Sequence, residues 1–355
     1  MRKLLVIILS VFIMLTFAAC VDNVDTQDLA GAQEAQNQTA IQNDMLTIDG
    51  YSDEDMEGQS TPSAEEIPVY ITISDVQFSI SLTELDLELI SWDLTSEDIA
   101  QLRYMVNLTR LNLGWNDQMT DITPISELIN LESISMQWSQ INDITPLAGL
   151  DNLTELELIG AKINDISPLS RLMSLTHLSL GSNQISDITP LSELTNLTHL
   201  VLSNNQISDI TALAYLANLS HLDLGSNQLS NITPLSELES LTHLFLPFNQ
   251  ISDITPLEGL ANLQLFVSQG NQISDIAPLA GLAHLSYLTL DDNQISDLTP
   301  LAGLTNLAAL SLMRNQISDL TPLTGLANLS QLGLNGNPIT DWSPVTHVDW
   351  VTGRP

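Results

Sequence analysis

Apolar side chains recur at fixed offsets along most of this chain. Aligned on Leu175 to Asn196, LTHLSLGSNQISDITPLSELTN, the pattern LxxLxLxxNxIxDITPLxxLxx returns every 22 residues, ten times without a gap from Leu131 to Trp350. A unit with one extra residue spans 108–130, and a 26-residue relative, LTELDLELISWDLTSEDIAQLRYMVN, begins at Leu82, so about twelve units follow one another. Alternation at positions 4 and 6 of each unit predicts a short strand with one face buried. The apolar residues at positions 11, 14, 17 and 20 must turn inward again on the opposite side of a coil. Thr and Pro at positions 15 and 16, as in Thr189 and Pro190, predict an N-cap with proline at the first helical position. Only some six residues remain before the next strand, so the helix is expected to be a 3₁₀ turn. One unit cannot close a core, whereas stacked units share a continuous one.

The repeat looks like the leucine-rich repeat, and its length and ITPL words resemble the bacterial internalin subclass, from about Ile71 to Pro355. The resemblance implies an α/β solenoid, a leucine-rich-repeat horseshoe of about twelve mostly 22-residue repeats. Its parallel sheet lies on the concave face and short 3₁₀ helices or turns lie on the convex face. It also implies binding rather than catalysis. Within such a fold the asparagine at position 9 (Asn183, Asn205, Asn227, Asn249, Asn271, Asn293, Asn315 and Asn337) points inward to satisfy backbone groups, because a buried polar group without partners is costly. Ser139 and Ala161 depart from that pattern, and Ser268 stands where a core leucine belongs, which predicts weaker coils there.

The flanks differ in kind. VYITISDVQFSI reads as a hairpin, and DLTSEDIAQLRYM as a helix capped by Thr95 with Asp98 three residues on. With the first atypical repeat they form an N-terminal cap over 67–107, ahead of repeats at 108–350 and a tail at 351–355. The leader MRKLLVIILSVFIMLTFAAC has a basic start and an apolar run from Leu4 to Phe17, short for a membrane span and suited to a secretory signal. Its end, LTFAAC, resembles the lipobox of bacterial lipoproteins, which implies a signal peptide at 1–19 and a lipid on Cys20, the one cysteine of the chain. An uncleaved anchor with an incidental cysteine is the alternative. Residues 21–66 hold twelve acids and no Lys or Arg, so 20–66 reads as an acidic disordered tether. As a flexible coil it would span roughly 35–40 Å. No immunoglobulin-like segment and no LPxTG signal follows the repeats in this sequence, so the lipid is expected to attach the protein to the outer face of a bacterial cell membrane.

Charge narrows the partners. Forty-three Asp and Glu against eight Lys and Arg give a formal charge of −35, which disfavours nucleic acid or an anionic membrane surface as a direct ligand. A monomer is expected, with no cofactor.

Strand positions 3, 5 and 7, with 8 at the strand end, face the concave solvent side, and there the units stop agreeing. Position 3 gives four consecutive histidines, His177, His199, His221 and His243. Three readings of that ladder stay open: a passenger copied with the repeat, a pH-dependent recognition surface, and a metal site, which one column of side chains does not readily close. Trp115 and Trp138 fall at position 8 of neighbouring units, and Phe245, Phe248, Leu265, Val267 and Tyr287 fall at positions 3, 5 and 8 of three successive units. Exposed aromatics are what binding hot spots are made of. The Phe245 to Tyr287 group is therefore the expected contact centre, against the alternative of local packing under loops. The position-13 aspartates (Asp143, Asp187, Asp209, Asp253, Asp275, Asp297 and Asp319) are expected to cap their own turns, with calcium as the alternative. Sequons at Asn107, Asn152 and Asn196 read as by-products of the repeat. His221 and Asp223 share a face and Ser179 lies nearby, but an open concave sheet supplies no evident oxyanion site or water-excluding pocket, so no enzyme is expected. The expected function is recognition of a host or neighbouring-cell protein by a lipid-anchored surface module. The alternative is an envelope scaffold that organises the cell's own surface proteins.

Overall fold

The computed structural model describes residues 67–88, 90 and 93–354. The signal at 1–19, Cys20 and the tether at 20–66 lie outside the described residues. Fifteen strands are present among the described residues. β1 (Tyr70–Ile73) and β2 (Val76–Ser79) form an antiparallel hairpin. Its two turn residues, Ser74 and Asp75, both have positive φ, 49° and 65°, as a two-residue turn between right-twisted strands requires. The other thirteen strands form one parallel sheet in chain order: β3 (Glu84–Asp86), β4 (Arg110–Trp115), β5 (Ser133–Gln137), β6 (Glu155–Ile159), β7 (His177–Ser179), β8 (His199–Val201), β9 (His221–Asp223), β10 (His243–Phe245), β11 (Leu265–Val267), β12 (Tyr287–Thr289), β13 (Ala309–Ser311), β14 (Gln331–Gly333) and β15 (Trp350–Thr352). Each coil returns through a 3₁₀ turn such as Thr189–Leu191. The parallel solenoid implied by the repeat is the fold observed.

Three local expectations need correction. The repeat arithmetic ends at Trp350 and leaves 351–355 as a tail, yet Trp350–Thr352 is a thirteenth strand paired Gln331↔Trp350, so the last coil is three residues shorter than the rest. Next, the threonine at position 15 is not the cap. The residue before each turn makes no side-chain cap bond, and Asp187 Oδ1 instead accepts the Thr189 N–H at 2.9 Å. Asp143, Asp209, Asp253, Asp275, Asp297 and Asp319 do the same in their coils, so the aspartate column caps the turns, as its first reading held. Finally, the N-terminal helix shrinks to a 3₁₀ turn, Ala100–Tyr104. Its capping box does form, with Thr95 N–H donating to Asp98 Oδ2 at 2.7 Å and Asp98 N–H to Thr95 Oγ at 3.4 Å.

The core is a column of leucine and isoleucine with almost no exposed surface, closed at its start by Ile71 and Ile73 of the hairpin. Asparagine runs up its edge. Asn227 Nδ2 donates to Leu224 O of its own coil at 3.1 Å and to Leu202 O of the preceding coil at 3.0 Å, while its Oδ1 accepts the Ile207 N–H of that preceding coil at 3.0 Å. One side chain thus ties two coils, and the other seven position-9 asparagines between Asn183 and Asn337 repeat the bonds to the preceding coil. At Ala161 the tie is missing, and the Ile141 N–H it would hold is left with Ser139 Oγ at 3.4 Å. Ser268 is fully buried but not orphaned, because its Oγ accepts Asn271 Nδ2 at 3.0 Å, and Phe266 beside it adds the volume the serine lacks.

A second, exposed asparagine ladder was hidden in the sequons. At the last position of the unit, Asn152 Nδ2 donates to Ile129 O at 2.9 Å and Asn196 Nδ2 to Met173 O at 2.8 Å. Asn218, Asn262, Asn306 and Asn328 make the same bond to the coil before. The NLT words at Asn152 and Asn196 therefore belong to the scaffold.

Candidate functional site

The open face of the sheet is where side chains at positions 3 and 5 emerge. Burial alternates along each strand, with position 4 buried and its neighbours exposed or half-buried, as in His243–Phe245. Parallel pairing then sets equal positions of successive coils side by side.

The four histidines become a stack. Ring centroids of His177, His199, His221 and His243 follow one another at 4.3, 4.2 and 4.2 Å, tilted by only 15°, 13° and 12°. Each Nδ1 lies 2.9 Å from the hydroxyl of the residue before it, namely Thr176, Thr198, Ser220 and Thr242. Each hydroxyl in turn reaches a carbonyl of the preceding coil, for example Ser220 Oγ to Thr198 O at 3.1 Å. The rings are thereby fixed edge-on, with Nε2 turned from the hydroxyl row. Their in-plane lone pairs run parallel, so neighbouring Nε2 atoms do not converge on one ion at the 2.0–2.1 Å that zinc requires. Burial first, then the charges of the neighbouring histidines, pushes His221 down to about 4 and His199 downward, and burial lowers His243. At neutral pH these three histidines carry little charge. The groups facing it are Glu155 on β6, Asp223 beside His221, and Leu265 on β11. Asp223 does not engage His221: its Oδ1 accepts the Gly225 N–H at 2.9 Å while the His221 Nδ1 is held by Ser220, so the two form no catalytic pair.

Next to the ladder, register assembles the expected contact centre. Phe245 pairs with Val267, and Leu265 lies between His243 and Tyr287 on successive strands. Phe245, Leu265, Val267 and Tyr287 are half-buried and Phe248 is 57% exposed. Trp115 and Trp138 also meet, with centroids 6.2 Å apart, but at the ends of β4 and β5, several strands from that patch. They are not equivalent within their coils. A bulge in β4 pairs Trp115 with Gln137, to whose Oε1 it donates from Nε1 at 2.8 Å, whereas Trp138 follows its strand. The eleven candidate residues thus form one continuous band, the ladder with the Phe245 to Tyr287 patch, and one separate aromatic pair.

Position 8 holds what the sequence reading missed. Its backbone is left-handed in Trp138, Ser182, Asn204, Ser226, Phe248, Asp292 and Arg314, with φ between 53° and 58°. That region is uncommon for bulky residues. It turns the side chain along the solenoid onto the next coil, where glycine follows the two aromatics. A Cβ at Gly160 would lie 2.5 Å from Trp138 Cε3, and one at Gly270 would lie 2.6 Å from Phe248 Cδ1. The readable signal was a glycine 22 residues after each bulky residue.

Charged side chains on this face are mostly spoken for. Arg314 pairs through two nitrogens with Asp292, and Asp291 Oδ1 accepts Ser311 Oγ and the Met313 N–H at 2.6 Å each. Among the described residues no group of three or more His, Cys, Asp or Glu is placed to hold a metal, and no helix is long and apolar enough to cross a membrane.

Comparison with known proteins agrees with this geometry. Segments 151–193, 174–215, 195–237, 264–303 and 305–347 match the family of leucine-rich repeats in its two-copy form, and 104–122 matches a single leucine-rich repeat. An internalin (inlF) of Listeria monocytogenes is similar over 79% of this chain and 91% of its own, with 32% identity and a TM-score of 0.70. An internalin C2 (inlC2) of the same organism is 39% identical, covering 53% of this chain and 83% of that one, with a TM-score of 0.52. A leucine-rich-repeat protein of Leptospira interrogans shares the fold at 23% identity, covering 77% of this chain and 84% of that one, with a TM-score of 0.62. Comparison with the curated proteins gives no match.

Proposed function

Because this chain belongs to the leucine-rich-repeat family and is built like the Listeria internalins, we propose that it is a protein-binding module of a bacterial cell surface, recognising a protein partner through the open, concave face of its sheet. One observation carries the reading. Phe245, Leu265, Val267 and Tyr287 are laterally adjacent in register on three strands and only half covered, although the same backbone buries every apolar residue on its inner side. Rigid aromatics lose little entropy on binding and are typical anchors of an interface. The histidine stack borders the patch as a flat aromatic shoulder. Recognition would involve little backbone change, since each strand of the patch is held on both sides by its neighbours. A signal peptide at 1–19, a lipid on Cys20 and an acidic tether to residue 66 would hold this module away from the outer face of the membrane.

The test is a pulldown with the purified full-length chain beside a variant carrying Phe245→Ser, Val267→Ser and Tyr287→Ser, against host-cell surface extract and bacterial envelope extract in parallel. A protein retained from the host extract by the parent and lost by a folded variant supports recognition of an external partner. Retention from the envelope alone moves the reading to a scaffold for the cell's own surface proteins. Equal retention by parent and variant places the site elsewhere.

A further inference from the structure

Beyond Tyr287 the sheet face dips. On β13 and β14 the outward positions are Ala309, Ser311, Gln331 and Gly333, so three of the four are small and only Gln331 rises from the floor. Tyr287 on β12 and Trp350 on β15 stand on either side as walls, and the space between them is a cavity of about 290 Å³. Trp350 is 66% exposed, a large apolar surface left in water beside the hollow. The volume lies just under the roughly 300–1,000 Å³ of small-molecule pockets and suits one inserted side chain. Walls of this kind favour a flat ring, by offset or edge-to-face contact at about 4.5–7 Å between centroids.

Charge decides what should flank that ring. The two arginines nearby are committed, Arg314 to Asp292 and Arg354 to the Val345 carbonyl at 2.7 Å. Asp349 is exposed beside Trp350, and the whole chain carries −35. A partner segment bearing Lys or Arg would be steered to this face and one bearing acids repelled. We propose that the hollow between Tyr287 and Trp350 is an anchor pocket for a single aromatic side chain of a basic partner segment. The proposal rests on the sheet-face reading above and names the chemistry of the partner.

Three synthetic peptides of one length test it, each flexible outside the centre: tryptophan flanked by lysines and arginines, alanine with the same flanks, and tryptophan flanked by glutamates. Binding to the full-length chain would be titrated by fluorescence anisotropy at low salt. The basic tryptophan peptide should bind at least tenfold more tightly than either control. Ala309→Trp, which fills the floor, and Trp350→Ser, which removes a wall at an exposed position, should each abolish that preference while leaving the urea midpoint unchanged. Equal binding of the alanine peptide, or tight binding that survives Ala309→Trp, overturns the pocket. So does failure of all three peptides, or Ala309-dependent binding of hexose oligomers in their place. A protein captured by Ala309→Trp but not by the Phe245, Val267 and Tyr287 variant would sink the pocket and leave the sheet-face reading standing.

Discussion

Replacing Ala161 with asparagine should stabilise the protein, although it adds a polar side chain at the edge of an apolar core. The surroundings are already set. The Ile141 N–H, which corresponds to the Ile207 N–H held by Asn227, now has only Ser139 Oγ at 3.4 Å. By analogy with Asn227, an asparagine at 161 would accept that N–H and donate to Leu158 O of its own coil and Met136 O of the coil before. Leu158 O already takes Asn183 Nδ2 at 2.8 Å, but carbonyls elsewhere accept two such side chains, as Leu202 O does from Asn205 and Asn227. Two to three added hydrogen bonds at about 0.5–1.5 kcal/mol each, less the entropy of one ordered side chain, leave roughly 1–2 kcal/mol. Urea unfolding followed by circular dichroism should show a raised midpoint at unchanged slope. Repeat arrays can lose two-state behaviour, so coincident near- and far-ultraviolet transitions are needed before the shift is read as energy. β5 and β6 run to five residues where the inner asparagine is absent and β7 to three where it is present, so the substitution should also shorten β6. A midpoint that falls or stays put would refute the idea that the asparagine ladder, rather than the leucine column alone, sets the strength of a coil.

The converse change, Asn227→Ala, should destabilise by about 2–4 kcal/mol because it leaves the Ile207 N–H and two carbonyls with fewer partners in a buried place, whereas Asn218→Ala in the exposed ladder should cost only about 1 kcal/mol; chemical denaturation of both separates the ladders. Gly270→Ala meets both a left-handed backbone and Phe248, so a loss of about 1–2 kcal/mol is expected, and a double-mutant cycle with Phe248→Ala should recover part of it. Acid should weaken the protein through the histidine stack. A base whose folded value is lowered binds its proton more readily in the unfolded chain, so stability is complete above the unfolded value near 6.5 and declines as pH falls toward about 4 for His221. The full shift would amount to about 3 kcal/mol, which solvent around these part-exposed rings reduces to roughly 1 kcal/mol. His221→Gln should flatten the stability profile between those limits, and an unchanged slope would remove the ladder as its cause. The turn aspartates act in a lower window: hydrogen bonds from the N–H two residues on hold Asp187 and Asp165 below the usual carboxylate value, and their contribution disappears only as pH drops beneath about 3.8.

Periodicity alone was sufficient for the architecture. An apolar spacing that no single unit can satisfy leaves stacking as the way to bury it, and the equal length of ten units sets every strand in register with the next. The histidine stack and the Phe245 to Tyr287 patch were legible for the same reason, because in such a fold sequence separation of 22 is spatial adjacency. Three things were decided only by tertiary structure. The left-handed backbone at position 8, in Trp138 and Phe248 as in glycine, comes from the bend each coil must make after its strand and not from the preference of the residue that occupies it. The shortened last coil escapes a fixed period, since Trp350 reaches β14 through a return loop three residues smaller. The hollow above Ala309 and Gly333 exists because small residues on neighbouring strands lie between two rings three strands apart. Volume missing from a surface is a property of neighbours in space, and no single unit of the repeat contains it.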